Sequence, residues 1–427
     1  MLYQEWKNQI KPDKKQRNYQ HIDNPLDLDN EKVFKKVTSV IGNIKNHQFL
    51  PFIKRNEVKI RFRKNESGQV RRKPKIREIK YASHLDSHIY SFYNFILMNK
   101  YEEYLKNLDI GENVIAYRKI KIEETGKGKN NIYFAKEVFD YISKQDECVV
   151  VTQDIEGFFD NLNHRFLKEK ICKVIGTEKL DDSLYKVFRS LTAHKYIEYD
   201  DFVNKKRKIK SNKYAVYKTL EGIVNKNKNN KGIPQGSPVS GLLANIYLID
   251  FDNDIKNNFP DVFYRRYSDD LVFVCRKDQR ISLLEFIDKK IKDSLLHINS
   301  EKSFISYFKK DGGKTICEKV TNGLDEKRTR NYVDYLGLEF CGEKIFLRKN
   351  TIQKLKYKQV KKAIKQLKNT QRVKRKKPKK LHNKVNKNRN NYFKRTLEIV
   401  SNSGVKNQVL KVTRDRNELK NKARLKK

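Results

Sequence analysis

Three aspartates stand out for the chemistry they could do together: Asp154, at the end of a short apolar run, and the adjacent pair Asp269 and Asp270. The run Cys148, Val149, Val150, Val151, Thr152 suits a buried strand that ends at Asp154. Residues 262–268 and 271–275 are two β-prone segments separated only by Asp269 and Asp270, which predicts a hairpin with both acids at its tip. Taken singly, Asp154 could cap a turn and the Asp pair could be turn residues. Taken together they offer two or three hard oxygen ligands at fixed positions, which suits Mg²⁺, an ion that keeps several of its waters. Two such ions about 3.5–4 Å apart can activate an attacking hydroxyl and hold a triphosphate. The chemistry such a set supports is nucleotidyl transfer.

The elements that must position these acids are legible around them. At Gly232, Ile233, Pro234, Gln235, Gly236, Ser237, Pro238 a tight loop leads into a helix, with Ser237 expected as N-cap and Pro238 at the first helical position. Val239, Leu242, Leu243, Ile246 and Asp250 then form an amphipathic stripe ending in an acidic patch. Upstream, residues 58–80 alternate apolar and basic side chains around Asn65–Gly68, a basic hairpin. Helical spacing follows over 86–105 and 132–142, and helix-like pieces occur around 31–44. The stretch 204–231 is rich in Lys and Asn and is expected as a mobile or nucleic-acid-facing insertion.

The 96 Lys+Arg against 52 Asp+Glu give a formal net charge of +44, which predicts a polyanionic partner. Residues 351–427 hold 28 Lys+Arg and 3 Asp+Glu, so more than half of the excess lies there. Ile352, Leu355, Val360, Ile364 and Leu367 recur at near-helical spacing before the run Lys374, Arg375, Lys376, Lys377, which predicts a basic helical segment facing a phosphate backbone. No run of about 18 apolar residues and no leader-like segment occurs, so the expectation is a soluble, cytoplasmic protein without a membrane partner. The five cysteines form no C-x-x-C pair, which speaks against a disulfide framework or a structural zinc site.

Several segments together resemble reverse transcriptases. Residues 151–160 (VTQDIEGFFD) look like motif A of that family, 232–245 (GIPQGSPVSGLLAN) like motif B, and Arg266, Tyr267, Ser268, Asp269, Asp270 match the Y-x-D-D box. Residues 296–302 (LHINSEK) resemble the lysine-bearing motif D, and Tyr335, Leu336, Gly337, Leu338 the motif before the thumb. Five motifs in the family's order are far more specific than any one of them. The resemblance implies that Asp154 and Asp269 bind two Mg²⁺ ions, or Mn²⁺ in their place, with Asp270 as third carboxylate. It implies that Phe159 is a steric gate selecting deoxynucleotides, that Gln235 and Gly236 underlie the nascent base pair, and that Lys302 donates a proton to the leaving pyrophosphate. Lys75 and Arg77 fall where the family's fingers grip the triphosphate, and Arg118 where they contact template or triphosphate.

The implied architecture is α+β, a right-hand polymerase with an antiparallel palm sheet and a helical basic thumb. The expected divisions are an N-terminal extension (1–55), fingers (56–145), palm (146–345, with an insertion at about 190–231), and thumb with basic tail (346–427). The implied partners are an RNA template, dNTPs and a DNA product. Phe49–Ile53, Lys75–Ile79 followed by His84–Tyr90, and Ala116–Arg118 followed by Asn131 and Ile132 are similar to bacterial defence-associated reverse transcriptases. That subgroup implies an antiphage role with an associated noncoding RNA as template. The alternatives are a retron-type or group II intron-type enzyme, or a noncatalytic RNA-binding scaffold of polymerase shape. Against the retron type, no N-A-x-x-H occurs, and Val320, Thr321, Asn322, Gly323 interrupts the V-T-G triplet.

Overall fold

The alternating and helical patterns resolve into a mixed α+β structure in a computed structural model that describes residues 1–10, 19–64, 70–208, 220, 222–318, 330–353, 396–400 and 404–408. The helices are α1 (Leu2–Ile10), α2 (Glu31–Gly42), α3 (His84–Asn107), α4 (Asn131–Lys144), α5 (Phe158–Asn161) and α6 (His164–Ile175). They continue as α7 (Asp182–Thr192), α8 (Tyr199–Lys208), α9 (Ser240–Tyr247), α10 (Ile249–Asn258) and α11 (Arg280–Asp293). The strands are β1 (Phe52–Lys64), β2 (Val70–Tyr81), β3 (Glu147–Asp154), β4 (Lys195–Glu198), β5 (Asn225–Lys226) and β6 (Phe263–Tyr267). After them come β7 (Asp270–Cys275), β8 (Phe304–Asp311), β9 (Lys314–Glu318), β10 (Val333–Tyr335), β11 (Leu338–Phe340) and β12 (Ile345–Leu347). Two compact units form: Met1–Tyr117 with Ile155–Asn257 and Asp288–His297, and Arg118–Asp154 with Asn258–Ile287 and Ile298–Lys427.

In the first unit the expected basic hairpin is a long antiparallel ladder, from Ile53 opposite Tyr81 to Lys64 opposite Val70. Its sheet has the order β2-β1-β4-β5, with β4 parallel to β1. Part of the Lys- and Asn-rich stretch is therefore built in: β5 joins this sheet, and Leu220 buries with Ile53, Ile197 and Phe202 in a small core. The N-terminal helix also packs: Trp6 of α1 is fully buried, and its indole N–H donates to Ser91 Oγ of α3 at 3.2 Å.

The loop before α9 departs from expectation. The helix starts at Ser240, and Ser237 does not cap it; the Ser237 hydroxyl is buried without a hydrogen bond. The cause is a bend that local sequence does not set. Gly232 and Gly236 take φ of 88° and 123°, Lys80 N–H of β2 donates to Gln235 O at 2.9 Å, and Ser240 Oγ closes the loop on Pro234 O at 2.7 Å. Nor is α9 amphipathic: Leu242, Leu243, Ala244, Asn245, Ile246 and Tyr247 are all buried. Asp250 lies instead on α10, where Lys170 and Lys173 pair with it.

The second unit is centred on an antiparallel sheet of order β6-β7-β3-β8-β9, with β3 in the middle. The central position explains the near-continuous apolar run of β3, since Val149, Val150 and Val151 are all buried. Helix α4 and the small sheet β10-β11-β12 contribute to one core, in which Phe139 stacks on Phe340 with ring centroids 5.0 Å apart. Val400 and Val405 join that core. Most of the expected basic helical segment, with Lys374, Arg375, Lys376 and Lys377, lies outside the described residues. Among the described residues no helix is long and apolar enough to cross a membrane.

Candidate active site

The second unit holds the acids. Asp154 is the last residue of β3 and Asp270 the first of β7, and they are direct cross-strand partners. The hairpin turns through Ser268, at φ 62°, and Asp269, so only Asp269 belongs to the tip while Asp270 belongs to the ladder. This corrects the expectation of two tip residues: Asp270 is held in register by Tyr267 on one side and Asp154 on the other. Asn299 N–H donates to Asp154 O at 2.8 Å, tying the short turn Ser300–Lys302 to the strand end. From that turn Lys302 Nζ donates to Asp154 Oδ1.

Electrostatics at this point are strained in one direction. Burial, then the neighbouring charges of Asp269 and Asp154, push the Asp270 carboxyl up to about 7, against the opposing pull of Arg348 and Lys302. Arg348 is itself fixed on Asp334, with Nε 2.7 Å from Oδ1. Arg266, within the Y-x-D-D box, is fully buried and donates to Ser268 O at 3.4 Å, bracing the loop that carries Asp269. Tyr335 is buried with its hydroxyl unpaired, and burial, then the charge of Asp270, holds its pKa well above the usual phenol range.

Among the described residues no three His, Cys, Asp or Glu side chains converge as a ready-made metal cage. Mg²⁺ needs none, since one or two carboxylates with waters and substrate phosphates complete its shell. The residues present fit such an ion: two cross-strand carboxylates and a third beside them leave Asp270 short of positive charge, and a lysine ammonium already sits on Asp154.

The first unit holds the residues expected to meet the nucleotide. Phe159 is the second residue of α5, and its carbonyl accepts from Ile233 N–H at 3.0 Å. Gly232 N–H donates to Leu162 O at 2.9 Å, so the loop of Gln235 and Gly236 is anchored to the segment carrying Phe159 as well as to β2. A Cβ on Gly236 would lie 2.9 Å from Lys80 O, so only glycine fits this approach. Arg77 is exposed on β2 opposite Glu57, and Lys75 lies on the same strand opposite Lys59. Arg118, the first residue of the second unit, lies in the bend after Tyr117 and is partly exposed. Lys80, which sequence reading passed over, is half-buried, and that burial lowers its pKa. Arg348 was likewise missed, and Tyr117, although it lies in the family-like segment Ala116–Arg118, was given no role, because the placement of both depends on distant segments. The end of the insertion lines an open cleft of ≈ 930 Å³, where Lys226 and Lys228 join Arg165 and Arg189.

Residues 87–340, more than half of the chain, match the sequence profile of the family described as reverse transcriptase (RNA-dependent DNA polymerase). No curated protein matches. Solved structures that match include apo telomerase from Candida tropicalis truncated from the C-terminal domain, at 13% identity and TM-score 0.41, covering 74% of this chain and 60% of that one. Apo telomerase from Candida tropicalis matches at 13% identity and TM-score 0.37, covering 73% and 51%. Telomerase from Candida albicans in complex with a fragment of telomeric RNA matches at 12% identity and TM-score 0.36, covering 74% and 49%. The chain thus spans between about half and 60% of the length of these structures.

Proposed function

The chain belongs to the reverse transcriptase (RNA-dependent DNA polymerase) family, and we propose that it extends a DNA strand on an RNA template with the Asp154, Asp269 and Asp270 carboxylates at its catalytic centre. The observation that carries this reading is the register of Asp154 against Asp270, with Asp269 next in the loop. A fold selected for stability alone has no use for acids that repel one another in one place. Asp154 and Asp269 would hold two divalent ions, Mg²⁺ in this reading, with Asp270 as third carboxylate. Such ions supply charge neutralisation and an activated 3′ hydroxyl.

The other residues position and select. Arg77 offers its guanidinium fork to the triphosphate, with Lys75 beside it on the strand. Phe159 fills the space a ribose 2′ oxygen would need, which makes deoxynucleotides the substrates. Gln235 and the Cβ-free Gly236 form the floor beneath the nascent base pair. Lys302 holds Asp154 and offers a proton to the leaving pyrophosphate. Arg118, the cleft around Arg165 and Arg189, and the run 374–377 provide basic surface for RNA phosphates.

In this reading the chain divides into fingers over 56–145, palm over 146–345 and a basic thumb with tail over 346–427. The N-terminal sequence features support the defence-associated group, with a structured noncoding RNA as template. Primer extension with dNTPs and Mg²⁺ on an RNA template tests the activity: synthesis is expected from the wild type and none from Asp269→Ala/Asp270→Ala. Sequencing the copurified nucleic acid tests the template; an intron RNA in place of a noncoding RNA encoded beside the gene would overturn that part.

A further inference from the structure

Tyr117 lies outside the catalytic motifs and is held in an unusual way. Its backbone φ is 59°, the left-handed region that a bulky residue adopts rarely, and yet half of its surface is exposed. Burial of the ring is therefore not what holds it there. Strained backbone of this kind persists where surrounding structure over-determines it, and it clusters at functional sites.

The over-determination comes from one face of α9. The Asn245 side-chain amide, fully buried, donates to Ala116 O at 2.8 Å and pins the residue before Tyr117. One turn earlier on the same face is Gly241, where an added Cβ would lie 2.6 Å from Tyr117 Cγ and Cδ1. The helix thus leaves a side chain out where the ring seats, and supplies an amide where the backbone must be fixed. Both residues lie in the segment resembling motif B. Held this way, the Tyr117 ring stands edge-on to Phe159, with centroids 6.3 Å apart and planes at 86°. Phe158, buried beneath, meets Phe159 from another direction at 5.8 Å and 63°.

We propose that Tyr117 is a positioning residue that braces the Phe159 ring and so sets how strictly the enzyme excludes ribonucleotides. The inference rests on the reading of Phe159 as the gate against a 2′ oxygen. A steric gate discriminates only as far as it cannot yield: a ring free to turn aside admits the larger sugar, and an edge-on neighbour removes that escape. Discrimination then depends on the pair of rings, and Gly241 and Asn245 serve it through Tyr117.

The test is the ratio of kcat/KM for dNTP over rNTP, measured by primer extension with purified full-length variants. Tyr117→Gly removes the ring and tolerates the left-handed backbone, so it is expected to fold. It should lower the ratio about tenfold through a gain in rNTP incorporation, while Phe159→Ala lowers it about a hundredfold. Tyr117→Phe, which keeps the edge of the ring, should restore the wild-type ratio, and Gly241→Ala, which displaces the ring, should shift it as Tyr117→Gly does. In the Phe159→Ala background Tyr117→Gly should lower the ratio no further, because a brace has nothing left to hold.

If Phe159→Ala relaxes selection while Tyr117→Gly and Gly241→Ala leave it intact, the gate stands and the brace is overturned. If Tyr117→Gly lowers dNTP use equally in both backgrounds, Tyr117 contacts substrate directly and the brace is again overturned. If Phe159→Ala leaves the ratio unchanged, the gate reading itself fails and the brace falls with it.

Discussion

Asp154 and Asp270 stand opposite each other where β3 meets β7, and the Asp270 carboxyl is pushed up to about 7 by burial and by the charges of Asp269 and Asp154. Like charges placed in register destabilise a ladder, and they are kept where a cation is to be bound. The pairing therefore has consequences for stability as well as for chemistry.

The first concerns pH. The Asp270 pKa is about 7 folded against 3.8 as the ordinary value. Between those two values the folded state holds the extra proton, so this residue's contribution falls as pH rises and is least favourable above 7. Metal-free Asp270→Asn should accordingly be more stable than wild type at pH 8, by up to about 4 kcal/mol, and the gap should close towards pH 4. Melting curves in chelator at both pH values check this; an equal gap at both would contradict it.

Divalent ions should offset the same repulsion. At pH 8, millimolar Mg²⁺ should raise the wild-type Tm by a few degrees through binding to the folded state, and it should leave Asp269→Ala/Asp270→Ala unmoved. A shift of equal size in the double variant would place the ion elsewhere.

Lys302 is positioned on Asp154 by the short turn that Asn299 ties to the strand end. Lys302→Ala should lower kcat about a hundredfold with a smaller effect on the KM for dNTP, as expected for loss of a proton donor. Steady-state kinetics on a defined template and primer measure both; an unchanged kcat would remove Lys302 from the chemistry.

Gly236 takes φ 123°, and a Cβ there would meet the Lys80 carbonyl at 2.9 Å. Gly236→Ala must therefore displace the loop from β2 or distort the strand, at about 1–3 kcal/mol of strain. The expected result is a KM for dNTP raised by about tenfold or more, since on the proposed reading that strain falls beneath the nascent base pair. A kinetically silent Gly236→Ala would show that the loop plays no part in binding.

The basic run 374–377 predicts a salt signature whatever its conformation. RNA affinity should fall steeply with salt, and replacing Lys374, Arg375, Lys376 and Lys377 by Ala should reduce the slope of log K against log salt by about 3 if all four meet phosphates. Fluorescence anisotropy across a salt series measures the slope, and an unchanged slope would mean that the run does not touch RNA.

What the sequence made legible was local. The apolar run of β3, the hairpin of β6 and β7, and helices α3 and α4 follow from periodicity and turn residues within a few positions. The carboxylates were legible because Asp154 closes an apolar run and Asp269 and Asp270 separate two β-prone segments. What escaped was set by contacts between distant segments. Ser237 has every local mark of an N-cap, but the Lys80 N–H holds Gln235 and moves the helix start to Ser240. Tyr117 owes its place to Gly241 and Asn245, far along the chain, and Arg348 bears on Asp270 from beyond the last motif. Trp6 is the one buried residue of α1, a helix whose polar composition hides it.

The central claim is metal-dependent, RNA-templated deoxynucleotide addition by the three carboxylates. Its most direct test is incorporation of labelled dNTP onto a primer annealed to RNA of defined sequence, followed across a Mg²⁺ titration. Synthesis that copies the template, rises with Mg²⁺ and vanishes in both Asp154→Ala and Asp269→Ala/Asp270→Ala is the predicted result. Synthesis that survives these substitutions, or its absence from the wild type at every Mg²⁺ concentration, would contradict the account.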